Sequence, residues 1–117
     1  MNCLNLAAIG LHLVSVHDKP GYNDQNYGLY AQSECGFIAG GYYNSYRRPS
    51  FQIGWRAETD HLPLFVEIGG VTGYPNHPVE PYAMAGIRLG PLRVGFIPHV
   101  TGVNRTSVVH AMVQFKL

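Results

Sequence analysis

Along most of this chain, apolar and polar residues change places at every second position. The alternation is clearest between Gly36 and Arg56. Phe37, Ala39, Gly41, Tyr43 and Ser45 interleave with Ile38, Gly40, Tyr42, Asn44 and Tyr46. After the corner Arg47-Arg48-Pro49, Phe51, Ile53 and Trp55 interleave with Gln52, Gly54 and Arg56. A period of two, rich in aromatic and β-branched residues, marks strands whose two faces meet different surroundings. Glycines inside both arms predict bends or close backbone packing in a strongly curved sheet. A lone hairpin is marginal in water, so the remaining chain must extend the sheet.

The same pattern predicts strands over 4–17, 27–34, 37–46, 50–58, 63–72, 82–89, 92–99 and 107–117. Residues 18–26, DKPGYNDQN, are turn chemistry throughout, 73–81 are rich in proline, and 100–106 form a polar link. No stretch carries a helical period, and no internal repeat is present. Consecutive antiparallel strands joined by short links predict an all-β, eight-stranded up-and-down β-barrel, with a β-sandwich as the alternative. Strand reversal gathers links 18–26, 47–49, 73–81 and 100–106 at one pole. The tight links 35–36, 59–62 and 90–91 lie at the other. Outer-membrane barrels share this layout with soluble barrels that bind through their loops.

Composition narrows the setting. The 117 residues make one domain spanning the whole chain. Only 13% are charged, about half the usual share. Together with eight Tyr and 14 Gly, this predicts an outer surface hidden in a membrane, an oligomer or a larger particle. A net charge of +1, with no basic cluster beyond Arg47-Arg48, argues against a nucleic-acid partner. Cys3 and Cys35 are too few for a disulfide framework and match no zinc spacing, so they read as free thiols. The opening MNCLNLAAIGLHLVSVHD lacks a basic leader and a cleavage site, and its apolar run is broken by His12. The expected location is therefore the host cytoplasm or a virion, with the outer membrane as the alternative.

One set of strand faces is almost wholly apolar: Ile53, Trp55, Val66, Ile68, Ala83, Ala85, Ile87, Val94, Phe96, Val109, Val113 and Phe115. The opposite set collects Gln52, Gly54, Arg56, Glu67, Gly69, Gly86, Arg88, Arg93, Gly95, His110 and Gln114. Alternation does not say which set faces inward. Low charge favours a membrane barrel with polar residues in its lumen. The absent export signal and short strands favour a soluble or particle-embedded barrel with the apolar set inward, and that is the expectation taken here. On either reading Glu67 pairs with Arg56 on one sheet face as a structural ion pair.

Three runs carry a resemblance: Tyr22-Asn23-Asp24-Gln25-Asn26-Tyr27-Gly28-Leu29-Tyr30, Gly41-Tyr42-Tyr43-Asn44-Ser45-Tyr46, and GGVTGY at 69–74. They resemble small proteins of tailed bacteriophages and proteobacteria, and are similar to outer-membrane barrels of the acyloxyacyl-hydrolase or lipid A-modifying type. The likeness runs from about Leu11 to Phe115. It implies the barrel fold and chemistry on lipid acyl groups. The membrane relatives are exported and carry a His/Ser catalytic arrangement; that arrangement is not located here, so the likeness assigns no catalytic residue.

The long-loop pole gathers the candidate binding residues. The first link and its flanks supply His17, Asp18, Tyr22, Asn23 and Asn26, and the hairpin corner supplies Arg47 and Arg48. The third link supplies Tyr74, His77 and Glu80, and the last supplies His99 and Arg105. Histidines and carboxylates at one rim are metal-ligand types, but strand-end histidines are more often plain capping groups, and no metal or other cofactor is predicted. His17 or His99 beside Ser45, Ser50 or Ser107, oriented by Asp18, would form a hydrolytic triad if the loops converge. Arg47-Arg48 reads as a solvated corner or a phosphate contact. Without a catalytic signature, the leading expectation is a non-enzymatic phage-type barrel acting by protein contact or self-assembly. The alternative is an outer-membrane-like lipid- or acyl-handling barrel, with hydrolysis as its chemistry.

Overall fold

The computed structural model describes residues 3–59, 61–75, 77–100, 104 and 106–117. Eight strands follow one another: β1 (Leu6–His17), β2 (Gln25–Ser33), β3 (Phe37–Tyr43), β4 (Pro49–Glu58), β5 (Leu64–Val71), β6 (Glu80–Leu89), β7 (Leu92–Ile97) and β8 (Val108–Lys116). Each pairs antiparallel with its neighbours in sequence, and β1 pairs with β8, so the sheet is a closed barrel rather than a sandwich. No helix occurs among the described residues. The predicted boundaries hold within a few residues. The largest difference is at β3, which stops at Tyr43 because Asn44 begins a hydrogen-bonded turn.

The two alternating sets separate as predicted, but with the opposite hand. The apolar set faces outward: Phe51, Ile53 and Trp55 on β4, Val66 and Ile68 on β5, Ile87 on β6, Phe96 on β7 and Val109 and Phe115 on β8 are all exposed, Ile53 to 72%. Gln52, Arg56, Glu67, Arg93, His110 and Gln114 are buried in the lumen. The expectation of an apolar interior is therefore reversed. Size gives the physical reason. An eight-strand barrel encloses little more than its own side chains, and here the paired charges and amides fill that space.

Arg56, only 2% exposed, sits between the rings of Tyr30 and Phe65, 4.9 and 5.0 Å from their centroids. Its Nε donates to Glu67 Oε1 at 2.8 Å, and its Nη1 donates to Gln114 Oε1 at 2.7 Å and Tyr30 OH at 3.1 Å. Arg56 and Glu67 are direct register partners across β4 and β5, which is why one face brings them together. Large rings are admitted by glycines opposite them. A Cβ at Gly10 would lie 2.0 Å from Tyr30 Cζ, so only glycine leaves room for that ring. Tyr30, Ile38, Phe65, Met84 and Met112 form the small apolar part of the core.

Cys3 and Cys35 are joined in a disulfide, which overturns the free-thiol reading. Their sequence separation of 32 matches no framework. The barrel brings them together because β1 begins beside the β2–β3 turn: Leu6 is the register partner of Ser33, and Glu34 N donates to Asn5 O at 2.9 Å.

Candidate functional site

The site is made by an irregularity in β1. Ala8, Gly10 and His12 face the lumen on even positions. Between His12 and Ser15 the register with both neighbouring strands shifts. Against β8 the extra residue is on β1, with three steps from His12 to Ser15 facing two from Met112 to His110. Against β2 it is on β2, with three steps from Gly28 to Gln25 facing two from His12 to Val14. Such an irregularity re-aims the side chains beyond it. Ser15 and His17 therefore point inward, and Val14 and Val16 outward.

His17 bridges two groups from different links. Its Nε2 lies 2.7 Å from Ser45 Oγ and its Nδ1 lies 3.0 Å from Asp24 Oδ1. The His17 side chain is 2% exposed and that of Asp24 63%. Hairpin pairing supplies Asp24: Val14 pairs with Gln25, and Ser15 N donates to Asp24 O at 2.8 Å, so the carboxylate lies beside the end of β1. Tyr22 stacks on the imidazole, with centroids 5.0 Å apart and planes at 21°.

Ser45 is held by the turn that carries it. Asn44 is fully buried. Its Oδ1 accepts from Tyr46 N at 2.8 Å and Arg48 N at 3.1 Å, and its Nδ2 donates to Ser50 Oγ at 2.9 Å and Gly73 O at 2.8 Å. The turn closes with Arg47 in the left-handed region, φ 61°. That conformation is uncommon for a residue with a side chain. Asn23 ties the first link to this turn by donating from its backbone N to Ser45 O at 2.9 Å, and Asn26 Nδ2 donates to Tyr43 O at 2.9 Å.

A cavity of about 100 Å³ opens beneath Ser45 and His17. It reaches down to Gln52, Glu67 and Met84, and Tyr42, Tyr46 and Tyr74 form part of its wall. Tyr74 OH lies 2.8 Å from Tyr42 OH, and burial holds the Tyr74 phenol well above its ordinary range. Below the mouth, polar contacts run on through the lumen. Ser15 meets His110, His110 meets His12, His12 meets Gln52, Gln52 meets Tyr82, and Tyr82 meets Glu67, which holds Arg56.

The other predicted site residues divide by location. Asp18, expected to orient a catalytic histidine, turns away from His17. It accepts from Thr106 Oγ1 and from Ser107 N, and these bonds hold its carboxyl below the usual carboxylate range. Asp24, which sequence reasoning missed, takes the orienting position. Its signal was the first hairpin, which folds residue 24 back onto the end of β1. Arg47 and Arg48 are exposed at the corner. Glu80 lines the cavity, while His77 is half-buried and not part of its lining. His99 is exposed, with its backbone N donating to Ser107 Oγ at 3.1 Å. Arg105 lies outside the described residues. Among the described residues no group of three or more metal-ligand side chains occurs. Compared with known proteins, the chain matches no family model and no curated protein.

Proposed function

We propose that this protein is a membrane-spanning β-barrel that cleaves or transfers lipid acyl groups, with Ser45 as nucleophile, His17 as general base and Asp24 as its orienting carboxylate. The observation that carries this reading is the His17 bridge, 2.7 Å to Ser45 and 3.0 Å to Asp24, at the mouth of a barrel whose outer wall is apolar. Ser45 donates its proton to neutral His17 Nε2 as Oγ bonds to the acyl carbon. Asp24, accepting from Nδ1–H, stabilises the imidazolium. The proton then passes to the departing alkoxide, and water or a second hydroxyl takes the acyl group from Ser45.

Three features support the membrane setting. The apolar wall is continuous around the barrel, and β1, β2, β4, β6 and β8 run 9 to 12 residues, about the length a tilted strand needs to cross a bilayer. Exposed Tyr27 and Tyr43 lie toward the loop pole, and Phe37 and Trp55 toward the turn pole, as in the aromatic girdles of outer-membrane barrels. The disulfide favours an oxidising compartment. Together these favour an outer membrane over the host cytoplasm or a virion.

The test is fatty-acid release from phospholipid in mixed micelles by the full chain folded in detergent. Ser45→Ala and His17→Gln should each lower turnover by on the order of 10³-fold or more. Asp24→Asn should cost less, on the order of 10- to 100-fold, because water already screens its exposed carboxylate. Acyl release that survives Ser45→Ala and His17→Gln unchanged would sink this reading. No release from any acyl ester would leave the contact role in its place.

A further inference from the structure

The cavity beneath Ser45 holds a second serine–histidine pair that the proposed reaction does not use. Ser15 Oγ lies 2.7 Å from His110 Nδ1, His110 Nε2 lies 2.9 Å from His12 Nδ1, and His12 Nε2 lies 2.5 Å from Gln52 Oε1. All four residues are buried and line the cavity.

The direction of these bonds follows from the far end of the series. The Glu67 carboxylate accepts from Tyr82 OH at 2.5 Å, and Tyr82 OH accepts from Gln52 Nε2 at 3.2 Å, which turns Gln52 Oε1 toward His12. An amide oxygen only accepts, so His12 Nε2 carries the proton. The partners of the two rings are an amide, a serine, each other and, beside His110, the Val14 backbone; none is charged, and a buried ring in such company is neutral. His12 Nδ1 is then a lone pair, which His110 Nε2–H fills. That leaves a lone pair on His110 Nδ1 for the Ser15 hydroxyl proton. A serine donating to a neutral, held imidazole is the resting state of an activated nucleophile. The rings are clamped as well as bonded: their centroids are 5.1 Å apart, and Tyr42 packs on His12 at 5.0 Å. Ser15 N, donating to Asp24 O, fixes the serine backbone.

We propose that Ser15, His110 and His12 form a second acyl-accepting centre that takes short-chain acyl esters. Ser15 stands two residues below His17 on the same inward face, about 7 Å deeper. A cavity of about 100 Å³ admits an acetyl-sized group there and not a long chain at full length. In the reaction, Ser15 Oγ bonds to the acyl carbon and its proton moves to His110 Nδ1. The ester C–O bond breaks, and the departing alkoxide takes that proton. Water, deprotonated by His110, then releases the acid and restores Ser15. His12 holds the ring of His110 as a carboxylate would in the commoner arrangement. The centre stands whether or not Ser45 turns over.

Methanesulfonyl fluoride is a small probe of the same chemistry: the serine oxygen bonds to sulfur, fluoride leaves, and the proton passes to the base. The full chain folded in detergent is treated with it, and adducts are located by peptide mass spectrometry. In Ser45→Ala protein, Ser15 should be sulfonylated at least about 100-fold faster in the folded than in the urea-unfolded state. His110→Gln should remove most of that advantage. Absence of a Ser15 adduct in folded Ser45→Ala protein, or equal rates folded and unfolded, overturns the proposal. That contrast needs no substitution in the relay, so it stands even where His110→Gln fails to fold. Label at Ser45 alone overturns this centre and leaves the Ser45 reaction intact, and label at Ser15 alone does the reverse.

Discussion

Replacing Glu67 with alanine should be among the most damaging single changes in the barrel. Glu67 and Arg56 are each 2% exposed and are joined at 2.7 and 2.8 Å. Removing one member of a buried pair leaves the other as an uncompensated charge, at a cost of about 3–5 kcal/mol. Arg56 would keep Gln114, Tyr30 and a distant Glu58 at 4.0 Å, which places the loss near the lower end, about 3 kcal/mol. Glu67→Gln preserves shape and an acceptor and should cost about 1–3 kcal/mol. Arg56→Met combined with Glu67→Gln should then be far less destabilising than the sum of the single changes, with a coupling of about 1.5 kcal/mol or more. Urea titration of protein folded in detergent reads these values through Trp55, the single tryptophan, which lies on the outer wall beside this pair. Single costs below about 1 kcal/mol, or additive ones, would show that the pair does not act as a buried unit.

Asn44→Ala removes four side-chain bonds beneath Ser45. It should cost about 2–3 kcal/mol and lower acyl release at least tenfold, measured beside the same urea titration. Replacing both Cys3 and Cys35 with serine opens a loop of 32 residues and should cost about 2–4 kcal/mol. The bridge lies at the pole opposite Ser45, so turnover by the folded variant should be unchanged. Asp18 has its carboxyl held low by Thr106 and Ser107. Its contribution is therefore complete above the ordinary carboxylate range and is lost as pH falls through its depressed value. Protection of the Ser107 amide from hydrogen exchange, taken relative to the free-amide rate at the same pH, should fall in acid, and Asp18→Asn should flatten that dependence.

The strand order, the two poles and the partition of faces were legible because each rests on a period of two that the structure keeps. The sign of the partition was not, since Ile53 beside Gln52 looks the same whichever faces inward. A signal did exist in the polar set. Arg56, Glu67 and Gln114 complement one another in charge and hydrogen bonding, as a sealed interior requires and a solvated face does not. Low charge had the same origin, an outer wall made of apolar side chains. Among site residues, Ser45 and His17 were candidates, but the partner chosen was the adjacent Asp18 rather than Asp24. Sequence adjacency misleads where a hairpin supplies the neighbour. Ser15 was hidden for another reason: strict alternation from His12 would turn it outward, and no local pattern announces a bulge.

That bulge behaves like a frameshift in three dimensions. Upstream of Leu13 the inward residues are even-numbered, and downstream they are odd-numbered. One extra residue thus switches the phase of the strand between the lumen that holds the fold together and the mouth that holds Ser15 and His17. Deleting Leu13 would restore plain alternation and still leave both inside. Such a shortened β1 would pair with β8 without a shift. Against β2, where the step from Gly28 to Gln25 already exceeds that from His12 to Val14 by one residue, the mismatch would grow, so the extra residue is held in place by the two neighbours' opposite demands.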